Sequence, residues 1–176
     1  MEVILIRHTS VDVPKGTCYG QTDVPVRDTF EQEAEETHRA LMQFGPIDQA
    51  FSSPLTRARK QAAYCGYPDA IIDDRLMEMN MGEWEMQLYD EIQDPHLQEW
   101  YDDFMHQPTT GGESFPQLYG RVTQFLDELK GKDYRRVAIF AHGGVLISAG
   151  LYAGLFQEKG AWDHLVPFGG IQKITI

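Results

Sequence analysis

Two short apolar runs, Val3–Ile6 (VILI) and the core of Arg136–Ala141 (RVAIFA), limit the fold more than any other feature of this 176-residue chain. Neither alternates with polar residues, and an unbroken run of this length marks a strand covered on both faces. Each run stops on side chains that prefer water. The first ends in Arg7-His8; the second ends at His142, followed by Gly143-Gly144. Buried strands that both finish on histidine suggest one shared rim.

The remaining periodicity alternates strands with helices. Asp28 or Thr29 is placed to cap a helix whose apolar positions are Phe30, Ala34, Leu41 and Phe44, and Gly45-Pro46 stops it. A short strand is expected near 47–52. Ser53-Pro54 offers an N-cap and a first-turn proline for a helix to about Tyr64. A third strand is expected over 70–72 and an irregular stretch over 76–113, with a helix near 96–105. Leu118, Val122, Phe125, Leu126 and Leu129 recur at helical spacing within 115–130. An apolar helix over 145–155 and an alternating strand over 170–176 complete the chain. This order predicts an α/β fold, a three-layer α/β/α sandwich with a mainly parallel central sheet and helices on both faces. The length fits a single domain over 1–176.

Composition narrows the partners. A net charge of −12 and a pI near 4.8 argue against a broad basic surface for nucleic acid. No apolar run approaches the roughly 20 residues of a membrane span. The start, MEVILIRH, has neither a basic lead nor a small-residue cleavage site, so a cytoplasmic location is expected. Cys18 and Cys65 are too few for a disulfide framework or a four-ligand zinc site. No metal and no cofactor is expected. Nothing in the pattern sets an oligomeric state.

In parallel α/β folds ligands bind beyond the carboxyl ends of the strands. That rule gathers Arg7 and His8, Ser52-Ser53-Pro54 with Arg57 in the following helix, Glu78, and His142 with Gly143. The set suits a small phosphorylated substrate. Guanidinium forks grip phosphate oxygens. A neutral imidazole can attack phosphorus, and a carboxylic acid can protonate the leaving oxygen.

The stretches LIRHTS, SSPLTRARKQAA, LMEMNMGEWE, GGES and AHGGVLIS stand in the order found in the histidine phosphatase superfamily (phosphoglycerate mutase-like, branch 1). The chain resembles that family from residue 3 to about 148, and CYGQTDVPV resembles its alpha-ribazole phosphatase group, which acts in assembly of the nucleotide loop of cobalamin. The resemblance implies a metal-independent phosphomonoesterase working through a phosphohistidine. His8 would be the nucleophile, Arg7 and Arg57 the phosphate clamp, and Glu78 the acid and then the base. His142 would add an imidazolium to the two guanidiniums, with Gly143 beside it at the substrate. Residues of about 76–118 would form a lid that sets specificity.

The first loop departs from the family pattern. Thr9, Ser10 and Val11 stand where Gly, Glu or Gln, and Thr or Ser are usual, and Pro14 replaces a phosphate-contacting asparagine. Gln21 or Thr22 would take over that contact. Glu83 competes with Glu78 for the acid. His38, His96, His106 and His164 carry no tag and read as surface or packing residues. Two enzyme alternatives stand beside the alpha-ribazole 5′-phosphate phosphatase: a phosphoglycerate mutase, whose family members tend to be longer, and a broad-specificity phosphatase. A catalytically weak phosphate-binding module is the non-enzymatic alternative.

Overall fold

The computed structural model describes all residues, Met1–Ile176. Strands β1 (Glu2–Arg7), β2 (Gln49–Ser52), β3 (Ile71–Ile72), β4 (Arg136–Ala141) and β5 (Ile171–Thr175) form one sheet in the order β3-β2-β4-β1-β5. The first four are parallel, and β5 runs antiparallel to β1. The helices are α1 (Phe30–Met42), α2 (Thr56–Tyr64), α3 (His96–Asp102), α4 (Phe115–Lys130) and α5 (Gly143–Tyr152). The expected α/β sandwich is the one observed.

Strand alternation builds two cores from one apolar run. Val3 and Leu5 of β1 join Val137, Ile139 and Ala141 of β4 beneath α4 and α5. Ile4 and Ile6 join Ala138 and Phe140 on the other face, against Leu41 of α1 and Ala62 of α2. The runs are unbroken because both faces are covered. α4 starts at a capping box, in which the Gln117 side chain accepts from the Ser114 backbone N–H at 2.8 Å. None of the helices is long and apolar enough to cross a membrane.

Local expectations shift in several places: Thr29 stands at the N-cap of α1 without a side-chain cap bond, β2 starts at Gln49, and α5 stops at Tyr152. The third strand shrinks to Ile71–Ile72, which lie on the sheet edge at 47% and 45% exposure. The helix near 96–105 stops at Asp102. α5 begins at Gly143, so the glycine pair is its first turn and not a lead-in. Ser53 does not cap α2: the cap position is Leu55, and the Ser53 hydroxyl is turned toward His142. Cap chemistry and site chemistry both call for a buried hydroxyl after a strand, so the local sequence does not separate them.

Leu126 lies in the larger core at 1% exposure. Leu126→Ala is expected to cost about 3 kcal/mol of stability, read as a lower urea midpoint with an unchanged denaturant slope.

Candidate active site

The register of β1 and β4 pairs Arg7 with Ala141, so the next residues, His8 and His142, stand side by side. Their ring centroids are 5.2 Å apart. β2 is in step with β4, and the Ser53 N–H donates to Phe140 O at 2.9 Å, which brings Ser53 to the same rim. α2 then carries Arg57 inward, where it is fully buried.

His8 is buried, and its Nδ1–H donates to Thr9 O at 2.7 Å. That bond leaves Nε2 with its lone pair. Burial, reinforced by the charges of Arg57 and Arg7, pushes the His8 imidazole down to about 3. The ring is therefore neutral and nucleophilic at physiological pH.

His142 Nε2 lies 2.7 Å from Ser53 Oγ. Burial first, then the charges of Arg57 and His8, hold His142 well below the usual imidazole range. The imidazolium expected from the resemblance belongs to the loaded site, whereas these causes act on the empty one. The ring is neutral in the free enzyme because two guanidiniums already occupy a desolvated site. It can act there as an N–H donor, and an arriving phosphate dianion favours its protonation.

The arginines are anchored by their outer nitrogens. Arg57 Nη1 donates to Thr22 O at 2.9 Å and Nη2 to Gly20 O at 2.6 Å. Arg7 Nη1 donates to Val166 O at 2.7 Å, with its guanidinium 4.1 Å from the Phe168 ring centroid. Eight buried side-chain polar atoms lack a partner, and four of them belong to residues around His8: Arg7 Nε, Thr9 Oγ1, Arg57 Nε and His142 Nδ1. A buried polar atom without a partner costs about 1–3 kcal/mol. A cluster of such atoms beside a neutral imidazole is the arrangement an oxyanion completes.

Glu78 follows a 3-10 turn at Asp74–Leu76. One carboxylate oxygen accepts from Met79 N at 2.8 Å, the other from Gly144 N at 3.2 Å. A Cβ on Gly144 would fall 2.4 Å from Glu78 Oε1 and 2.7 Å from Leu118 Cδ2, so only glycine allows this approach. Gly143 stands between Leu165 and Arg7, its added Cβ falling 3.1 Å from Leu165 Cδ1 and 3.7 Å from Arg7 Nε. Glu83 is exposed and its side chain lies against Gly111, away from this group.

The first loop brings Gln21 and Thr22 to the rim with their side chains engaged. Gln21 Nε2 donates to Glu78 O at 3.1 Å, and Thr22 Oγ1 donates to Glu85 at 2.9 Å. Pro14 is exposed and its carbonyl closes a turn onto Thr17. Sequence reasoning missed Ser53 as the partner of His142, Phe168 over Arg7, and Tyr19, whose ring lies 5.3 Å from the Arg57 guanidinium. An aromatic tag carries no signal until the chain is folded. No group of three or more His, Cys, Asp or Glu side chains is arranged to hold a metal ion.

A mainly parallel sheet whose rim gathers two histidines, two arginines and a glutamate fits a phosphoryl-transfer class of enzyme. The chain belongs to the histidine phosphatase superfamily (branch 1), which it matches over residues 3–175. Among its relatives, a protein of Hydrogenobacter thermophilus provisionally named phosphoserine phosphatase 2 is 28% identical over 97% of this chain and 87% of the relative. The phosphoglycerate mutase structure of Thermus thermophilus superposes with a TM-score of 0.78 at 29% identity, covering 100% of this chain and 99% of that one. An Escherichia coli structure, provisionally described as an alpha-ribazole-5′-P phosphatase, has a TM-score of 0.86 at 24% identity, covering 98% and 89%; it shares the fold. This chain is therefore an enzyme of the phosphatase and mutase kind, and a phosphorylated small molecule is its class of substrate.

Two outcomes are expected. Gly144→Ala should lower kcat/KM for a phosphomonoester by about 10²-fold by displacing Glu78, with far-UV circular dichroism retained. Acid should weaken the fold through His8. The unfolded imidazole takes its proton near 6.5 and the folded one only near 3. Between those values the unfolded state binds more protons, so stability is full above about pH 6.5 and falls as pH drops toward 3. Urea midpoints compared at about pH 7 and about pH 4.5 should fall less in His8→Gln than in wild type.

Proposed function

We propose that this chain is a phosphomonoesterase that works through a phosphohistidine on His8 and releases an uncharged alcohol bearing an aromatic group. Alpha-ribazole 5′-phosphate, whose leaving alcohol is a neutral ribose carrying an aromatic base, is the favoured substrate. The observation that carries the phosphatase reading is the set of unpartnered donors around a neutral His8. His8 Nε2 attacks phosphorus, the P–O ester bond breaks, and Glu78 gives its proton to the leaving alcohol. Water then attacks the phosphohistidine, Glu78 takes its proton, and the N–P bond breaks. Arg7, Arg57 and the His142 N–H hold the charge on the non-bridging oxygens.

The choice of organic part rests on charge. Between Arg75 and Arg121 the chain has no Lys or Arg and ten carboxylates. This stretch holds the proposed specificity segment of about 76–118. Its two histidines, His96 and His106, are engaged by Glu99 and Asp103, and its many carboxylates disfavour a substrate carboxylate. It is instead rich in aromatic rings, among them Tyr89, Trp100, Tyr101 and Phe104, packed against one another. The loop after β1 adds Lys15 and Arg27, and Arg27 Nε is spent on Val11 O.

The mutase reading remains as the second one. A length argument does not weigh against it, because the Thermus mutase is matched over 99% of its own chain. The Lys- and Arg-free, carboxylate-rich segment does, since 2- and 3-phosphoglycerate both present a carboxylate.

Phosphate release in excess chelator by wild type and His8→Ala tests both parts. Alpha-ribazole 5′-phosphate should exceed 3-phosphoglycerate and phosphoserine by roughly tenfold or more in kcat/KM, and His8→Ala should abolish release. Interconversion of the phosphoglycerates would replace the reading with a mutase. Equal use of carboxylated esters would remove the neutral leaving group. Phosphate-dependent thermal stabilisation without turnover would point to a binding module.

A further inference from the structure

We propose that Arg121, held by Glu113, is the residue that positions Glu78 for proton transfer to the leaving group; this rests on the reading of Glu78 as the acid. Residues 77–81, which carry Glu78, form neither helix nor strand. The segment's own backbone gives the carboxylate one bond, from Met79 N, and no helical or strand ladder fixes the segment itself. Arg121 supplies the missing frame from the rigid α4. Its Nη1 donates to Arg75 O at 2.7 Å and to Met77 O at 2.6 Å, and its Nη2 donates to Glu78 O at 2.8 Å. Nε and Nη2 also form a fork on Glu113, at 2.8 and 2.9 Å. All five guanidinium N–H groups are thereby used.

Glu113 closes the clasp from the far side. It accepts from Asn80 N at 2.8 Å, while its own N–H donates to Asn80 O at 2.8 Å. Burial pushes its carboxyl up, but the Arg121 and Asn80 bonds outweigh this and keep it ionised. The segment 75–80 is thus fixed on both flanks, and Glu78 is left to aim its carboxylate at Gly144. The two residues sit eight apart, Glu113 before α4 and Arg121 within it, so one helix sets both arms. A lysine cannot replace Arg121, since an ammonium has three donors and no planar fork.

Leaving-group dependence distinguishes positioning from general support. An alkyl phosphomonoester needs a proton on its leaving oxygen, whereas a p-nitrophenyl ester leaves as a stable anion. kcat/KM reports the steps through phosphoryl transfer to His8, before the common hydrolysis. Arg121→Lys and Glu113→Gln are expected to lower kcat/KM for the alkyl ester by about 10²-fold and for the aryl ester much less. Combined with Glu78→Gln, neither should add appreciable further loss on the alkyl ester, because the acid they aim is gone. Equal losses on both esters, additive losses in the double variants, or unfolding of both single variants would overturn the proposal. If Glu78→Gln itself shows no alkyl-selective loss, the acid assignment falls instead.

Discussion

The in-register parallel pairing of β1 with β4 is the constraint on which the site depends. Hydrogen bonding between parallel strands leaves no freedom to slide once both faces are buried, because a one-residue slip would exchange every core side chain for one of the opposite face. Val3 and Leu5 face one core, Ile4 and Ile6 the other, and β4 repeats the pattern beside them. The two histidines are therefore neighbours by backbone arithmetic. β2 extends the same frame to Ser53, and the first turn of α5 extends it to Gly144 and the Glu78 carboxylate.

Within that frame, burial and charge act in the same direction on the imidazoles. Desolvation disfavours a charged ring, and the nearby guanidiniums disfavour it again. Neutral histidine is thus the state that costs least, which is also the state in which a ring nitrogen can attack phosphorus. The arginines stay in place without carboxylate partners because backbone carbonyls of Gly20, Thr22 and Val166 take their outer N–H groups. An anion entering the site meets guanidiniums whose hydrogen bonds go to backbone carbonyls and not to a paired carboxylate.

Much of this is legible in the sequence where a single physical cause dominates. VILI and RVAIFA declare covered strands because no polar residue interrupts them, and α4 matches its expected 115–130 span because five apolar residues keep helical spacing. The rest depends on neighbours distant in the chain. The alternation of β5 fits either strand direction, and only its pairing with β1 makes it antiparallel. Ser53 reads as a cap until His142 is beside it. Glu78 and Glu83 are equivalent in the local string; their separation appears when one meets Gly144 and the other faces solvent. Arg121 looks like an ordinary polar position on an amphipathic helix, and its five bonds run to residues far back in the chain.

The unpartnered donors around His8 have a consequence for turnover in a phosphate-rich setting. A cradle made of guanidinium and imidazole N–H groups recognises the oxygens of an anion and not the organic part attached to it. Free inorganic phosphate, which the hydrolysis itself produces, presents those same oxygens. On the proposed reading, product competes with substrate at this end of the site, and accumulating phosphate is expected to slow the reaction. Whatever advantage the substrate holds must come from its organic portion, so affinity for that portion decides how long the reaction runs before its own product restrains it.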